Sequence, residues 1–356
     1  MSSLVNTYPA LPRTAIARHQ ARHVLALPDD VLVDEVETLA VSRFAGARWD
    51  VAPRGAEPLT PAPRTAGAGE PGVLRTSRHT TLTGPYVPGP GLPPGTTQVF
   101  EVVCPRERGE PPFPGGADRD GLGRAFPQGL PEKEEGRATR WLVDAARRLG
   151  GSVAMDADET GRAAVVLTPD QSVTVDMTLY TDVWLEPDAA LSVLQRVDRR
   201  VRLAMDADPW PGPPDGIADK PLYPGEKMDP EFRRRLHAAA EKRDIESLEN
   251  PPPLDGYGLM LDLGVDGIVA VEIGGEDAIP LLLRGLPWTV DGAVAYRIRW
   301  EPVDLIAAQD EVPTIDYRVA RKRAGELVAD LARTLHGVVG GEIADEAGFL
   351  VEPADL

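Results

Sequence analysis

Two short acidic runs carry residue types suited to chemistry: Ala157-Asp-Glu-Thr-Gly161 and Ala344-Asp-Glu-Ala-Gly348. Adjacent carboxylates can hold a hard cation or move a proton. Each run, however, lies between short β-type segments and ends in Gly. Asp and Gly in that setting are turn residues, because Gly takes positive φ at no steric cost. Both runs therefore read as hairpin tips. His19 and His23 stand four apart, which on a helix would put two ligands on one face. Position 20 is Gln, so the glutamate of a His-Glu-x-x-His site is missing, and Arg18 and Arg22 oppose a cation. The one cysteine, Cys104, precedes Pro105 and has no His beside it, so it reads as a buried structural thiol. A single thiol makes neither an intrachain disulfide nor a cysteine zinc cluster. We expect no metal and no cofactor.

Strand alternation supplies stronger candidates. In Val173–Thr181, the residues Val173, Val175, Met177 and Leu179 fall on one face, and Thr174, Asp176, Thr178 and Tyr180 on the other. Leu259, Leu261 and Leu263 oppose Met260 and Asp262. Val269, Val271 and Ile273 oppose Ala270 and Glu272. Tyr296, Ile298 and Trp300 oppose Arg297 and Arg299. One greasy face and one polar face are expected of an antiparallel sheet covered on one side. Asp176, Tyr180, Asp262, Glu272, Arg297 and Arg299 are the candidate binding residues. No catalytic set is evident.

The run Leu261-Asp-Leu-Gly-Val-Asp-Gly-Ile-Val-Ala-Val-Glu-Ile-Gly-Gly resembles the first phosphate loop of the actin/Hsp70-like ATPases. In that family a strand Asp and Gly precede a hairpin whose hydroxyl or Asn touches phosphate. Here Val265 and Asp266 occupy the loop, and the run reads as an Asp-Gly hairpin. No Gly-x-Ser-x-Gly elbow, Walker loop or dinucleotide fingerprint appears.

The elements that must position these residues come in two sets. Residues 1–96 read as an irregular region with a helix from Thr14 to Leu27, a second from Asp29 to Leu39, and a Pro/Gly-rich stretch beyond Val51. Residues 97–205 read as a first αβ module. Its helix Glu132–Leu149 places Ala138, Trp141, Leu142, Ala145 and Leu149 on one stripe. Residues 206–256 form a Pro-rich bridge with one helix opened by Asp229, Pro230 and Glu231. Residues 257–356 form a second module, whose helix Tyr317–Leu335 turns Ala324, Leu327, Val328, Leu331 and Leu335 inward. Arg137–Val153 aligned with Arg323–Val339 matches at eight of 17 positions, and the two acidic turns follow one residue out of register. The expected fold is α+β. It has two related split-βαβ (ferredoxin-like) modules with pseudo-twofold symmetry, helices on one face of mostly antiparallel sheets, and an irregular N-terminal region.

Composition bounds the function. The chain has 356 residues and a net charge of −18, with 35 Gly and 36 Pro. Those two types make up a fifth of the chain against an ordinary share of about 12%. The charge nets +1 over residues 1–100, −8 over 101–250 and −11 over 251–356. Such a balance repels nucleic-acid phosphates and anionic lipid. No run reaches the roughly 18 apolar residues that mark a membrane helix, and Met1–Pro12 lacks the features of a secretory signal. We expect a soluble cytoplasmic chain. The leading expectation is a non-catalytic binding or adaptor protein, contacting a protein partner or itself through polar sheet faces and Pro-rich loops. Two alternatives stand beside it. One is an enzyme with an inter-module cleft that uses carboxylate and arginine groups on a small polar substrate. The other is a structural subunit of an assembly, marked by an exposed apolar patch.

Overall fold

The computed structural model describes residues 8–13, 15–55, 69–204, 227–249 and 255–356. The Pro-rich bridge around Asp206–Gly225 and the Pro251 run lie outside them. Two seven-stranded antiparallel sheets organise the chain. The first uses β1 (Gln20–Leu27), β2 (Arg48–Val51), β3 (Gly72–Arg75), β4 (Thr81–Tyr86), β5 (Gln98–Pro105), β6 (Ser152–Met155) and β7 (Val165–Leu167). Its helices are α1 (Val33–Arg43), α2 (Leu122–Ala125) and α3 (Lys133–Arg148). The second sheet uses β8 (Met177–Thr181), β9 (Arg202–Leu203), β10 (Gly256–Asp262), β11 (Ile268–Glu276), β12 (Ala293–Glu301), β13 (Glu342–Asp345) and β14 (Leu350–Val351). Its helices are α4 (Pro187–Leu194) and α6 (Ile315–Val339), and α5 (Pro230–Glu249) lies between β9 and β10 in the chain.

The spatial orders are β2-β3-β4-β5-β1-β6-β7 and β9-β10-β11-β12-β8-β13-β14. Adding seven to each strand number converts the first into the second. In both sheets the earliest strand sits inside, with later strands on either flank. The strand–helix–strand–strand runs expected from the sequence are present as β5–α3–β6–β7 and β12–α6–β13–β14. They are embedded in sheets larger than a four-stranded split-βαβ frame.

The N-terminal region is where structure and expectation differ most. Thr14–Leu27 was expected to be helical, and residues 20–27 are instead the inner strand β1. The reason is burial on both faces. Ala21, Leu25 and Leu27 join the core under α1 and α3, while Val24 and Ala26 join a second cluster with Tyr86, Val99 and Ala154. Such a strand has no period-2 signature. β2, β3 and β4 also arise from the stretch expected to be irregular. They are short and carry Gly72, Gly84 and Pro85, which weaken a strand signal. At Gly84 a Cβ would stand 2.6 Å from the Phe100 ring, so the close approach of β4 to β5 excludes a side chain. The helix expected over Asp29–Leu39 is α1, starting at Val33, where Glu35 accepts from the Leu32 N–H at 2.6 Å. Sheet membership also departs from the expected boundary at residue 205, because β8, α4 and β9 belong with the second sheet.

The main helices match expectation closely. Ala138, Trp141, Leu142 and Ala145 are buried on α3, and Ala324, Val328, Leu331 and Leu335 on α6. Asp229 accepts from the Phe232 N–H at 3.1 Å at the start of α5. The acidic turns are the same turn twice. The Asp158 N–H donates to the Arg162 carbonyl and the Gly161 N–H to the Asp158 carbonyl. The Asp345 N–H donates to the Phe349 carbonyl and the Gly348 N–H to the Asp345 carbonyl. Gly161 and Gly348 both have φ of 80°. One pairing in the alignment fails: Gly151 follows the end of α3, but Gly337 lies inside α6, which runs on to Val339 and is ended by Gly340 and Gly341. Between β11 and β12 the chain forms a 3₁₀ turn at Leu281–Leu283.

The strand reading of β1 is testable. Leu25 is fully buried against the helices. Leu25→Ala should lower stability by about 2–5 kcal/mol, read as a lower urea midpoint. A loss below about 0.5 kcal/mol, the range of surface substitutions, would place Leu25 outside the core.

Candidate functional site

The polar face of the second sheet is built by β8, β11 and β12. Register sets Glu272 opposite Arg297, Ala270 opposite Arg299, and Tyr180 opposite Ala295. Period-2 alternation therefore brings Tyr180, Glu272, Arg297 and Arg299 to one side. Tyr296, Ile298 and Val271 point the other way into the core. The charges on this face are matched internally. Arg299 lies 3.5 Å from Glu272, and Arg297 is paired with Glu276. Glu276 lies beyond Gly274 and Gly275, which weaken a strand signal, yet β11 continues through them. Burial and the charge of Glu276 push the Tyr180 phenol up. Glu272 and Arg299 are about half exposed, and ion pairs of that kind contribute about 0–1 kcal/mol. Asp262 sits at the end of β10, where it accepts from the Gly264 N–H at 2.7 Å and caps the turn.

Asp176 is the one candidate drawn elsewhere. It precedes β8 and accepts from the Trp300 N–H at 2.9 Å. It lines a cavity of about 290 Å³ between the two sheet units, with Asp144 and Arg147 of α3 on one side and Asp345 on the other. Burial pushes the carboxyls of Asp144, Asp176 and Asp345 above the usual range. Arg147 is almost fully buried and bonds Asp144 at 3.0 Å as well as Asp120. An inter-module cleft with carboxylate and arginine groups is thus present. Its residues are not Asp262, Glu272, Arg297 or Arg299, which do not line it. Asp144, Arg147 and Asp345 escaped sequence reasoning because two belong to an amphipathic helix and the third to a turn.

A third feature lies at the start of α6. The loop from residue 302 to 314 and the first helical turn expose Val303, Leu305, Ile306, Val312 and Ile315, each more than 60% accessible. Trp300 and Tyr317, with ring centroids 5.3 Å apart, line a cavity of about 620 Å³ rimmed by Asp266, Asp304 and Asp316. The loop is anchored to the Pro-rich insertion 105–131 of the first unit. The Asp118 N–H donates to the Gln309 carbonyl at 3.1 Å, and Arg124 pairs with Glu311 at 2.7 Å. That insertion exposes Phe113, 83% accessible, over a second cavity of about 680 Å³.

Cys104 is fully buried, and burial pushes its thiol up to about 12, which removes thiolate reactivity. His23 is buried on β1 and His19 is exposed beyond its edge, so the two share no helix face. Among the described residues, no three His, Cys, Asp or Glu side chains are grouped as metal ligands, and no helix is long and apolar enough to cross a membrane. Comparison with protein-family models, curated proteins and solved structures finds no match.

The cleft carboxylates make pH a probe. A raised carboxyl pKa in the fold contributes stability below the unfolded value of about 3.9, and that contribution is lost as pH rises through the folded value. Asn at position 176 keeps an acceptor for the Trp300 N–H without the charge. Asp176→Asn should therefore melt above the parent protein at pH 7, with the gap closing as pH approaches about 4. Thermal unfolding across that range checks it, and a gap that does not change with pH contradicts burial as the cause.

Proposed function

We propose that the chain is a non-catalytic binding or adaptor protein. It takes a protein partner on the surface formed by the Pro-rich insertion around Phe113 and the 302–319 segment, with the polar face of the second sheet alongside. The observation that carries this reading is the run of exposed apolar side chains from Val303 to Ile315. Large apolar side chains exposed this closely along a segment are a feature of interaction sites. The polar sheet face is the weaker half, since its arginines already have carboxylate partners. The net charge of −18 favours a protein partner over nucleic acid.

We further read the two sheet units as copies of one duplicated frame in approximate twofold relation. The shifted strand order, the repeated turn hydrogen bonds and the eight matched positions support this. A second reading, a small-ligand or enzymatic site in the cleft, is favoured by the three raised carboxyls around Arg147.

Burying an Ile or Val side chain contributes about 1.5–3 kcal/mol. The double variant Ile306→Asp, Val312→Asp should therefore weaken partner binding more than tenfold, since about 1.4 kcal/mol is a factor of ten. Quantitative affinity purification from the native host, parent against variant, measures this. Size-exclusion chromatography with light scattering distinguishes self-association. A parent protein that is monomeric and retains no specific partner, or a variant that retains it equally, sinks the reading.

A further inference from the structure

We propose that a pocket in the first unit, separate from the surfaces above, binds an oxyanion of the phosphate class. It lies between the end of α1, the β3–β4 turn and the first half of α3. Its volume is about 440 Å³, and Arg43, Phe44, Ser77, Arg137 and Arg140 line it. Three guanidinium groups meet there, and no carboxylate is among the lining residues. In a chain of net charge −18 that is a local reversal of sign.

The fold leaves these arginines free to bind. Arg140 makes no hydrogen bond or ion pair among the described residues. Arg43 donates hydrogen bonds through Nη2 alone, 3.1 Å from Asp144 and 2.7 Å from the Ala347 carbonyl oxygen, and its guanidinium lies 5.8 Å over the Phe349 ring. Arg137 is held through Nη2 by Glu134. A guanidinium carries five N–H donors, so each anchor fixes the side chain and leaves most donors unspent. The anchoring carboxylates are themselves committed. Glu134 also accepts from Ser77 and Thr80, and Asp144 is shared with Arg147. Clustered guanidinium groups repel one another, and a bound tetrahedral oxyanion relieves that repulsion with forked, charge-assisted hydrogen bonds.

The duplicated frame does not require this cluster. By the offset that aligns α3 with α6, Arg140 corresponds to Glu326, and the matched Arg323 pairs with Asp266. The basic pocket is therefore particular to the first unit. Phe44, edge-on to Trp141 at 5.8 Å and half-buried, adds an apolar wall. That wall suits a phosphate carried on an organic group, and inorganic phosphate shares the same anchoring chemistry.

Isothermal titration of the full chain at low ionic strength, with inorganic phosphate and with phenyl phosphate, tests the assignment. Both probes should bind the parent and lose at least tenfold in Arg140→Glu, whereas Arg202→Ala, an exposed position on β9 of the second unit, should bind as the parent does. Tighter binding of phenyl phosphate identifies an organic phosphate as the source, and equal binding identifies the free anion. Arg140 is exposed, so circular dichroism and melting of the variant should match the parent. Absence of binding by either probe, or binding that Arg140→Glu leaves unchanged, overturns the proposal.

Discussion

The buried carboxylate of Glu135 is the constraint around which the first unit is assembled. Its side chain is fully excluded from water at the start of α3. An isolated charge there would cost several kcal/mol. Burial works to raise its pKa, but His23, Arg108 and the Glu107 N–H outweigh that and hold the carboxyl below the usual range. These partners come from different places. Arg108 reaches Glu135 Oε1 at 2.6 Å from the segment after β5. The Glu107 N–H donates to Oε2 at 2.7 Å. His23 lies 3.6 Å away on β1. Its Nδ1 accepts from the Asp156 N–H, which leaves Nε2 protonated and facing Glu135. One charge thus ties the helix to the inner strand, to the exit of β5 and to the turn after β6. Arg108 also stacks over Phe126 at 4.4 Å, so the same network closes the Pro-rich insertion onto the core.

The second unit keeps the position and reverses the sign. Arg321, the counterpart of Glu135 on α6, is 2% exposed and bonds Asp170 at 2.6 Å and Ser172 at 2.8 Å. Asp170 belongs to the segment that leads from β7 into β8. The carboxyl there is opposed by burial but held low by Ser172 and Arg321. In one unit the buried charge organises the interior, and in the other it holds the connection between units. Two sheets of matching strand order accommodate such a difference because each buried charge needs only a matched partner nearby, not a particular sign.

What was legible in the sequence follows from burial geometry. α3 and α6 have one buried stripe each, so their period stood out, and the two Asp-Gly turns were recognisable because Gly161 and Gly348 occupy positive φ. β10, β11 and β12 bury one face and alternate cleanly, which is why Glu272, Arg297 and Arg299 read as polar-face residues, whereas Tyr180 read as part of the first module and joins them only because β8 belongs to the second sheet. β1 is covered on both faces and lost its alternation, and with it went the recognition that β2 to β4 complete a sheet. The cleft residues were invisible for another reason. Asp144, Asp176 and Asp345 are separated by more than thirty positions from one to the next and meet only because the units pack together.

The distribution of exposed features shows how the two units differ. Strand order, turns and helix cores answer to backbone hydrogen bonding and apolar burial, and these are the parts held in common. Surface chemistry is under no such restraint. The first unit collects three guanidinium groups beside Phe44, of which Arg140 alone has no ion pair among the described residues, and the second presents apolar side chains beside an acidic rim at Trp300. The Pro-rich insertion joins the two surfaces physically, since Asp118 and Arg124 hold the 302–314 loop while Arg108 and Glu135 hold the insertion to the first core. From the insertion, ion pairs lead on to the basic pocket: Asp120 with Arg147, Arg147 with Asp144, and Asp144 with Arg43. Glu135 stands beside that chain of charges and fixes the base of the insertion to the first core.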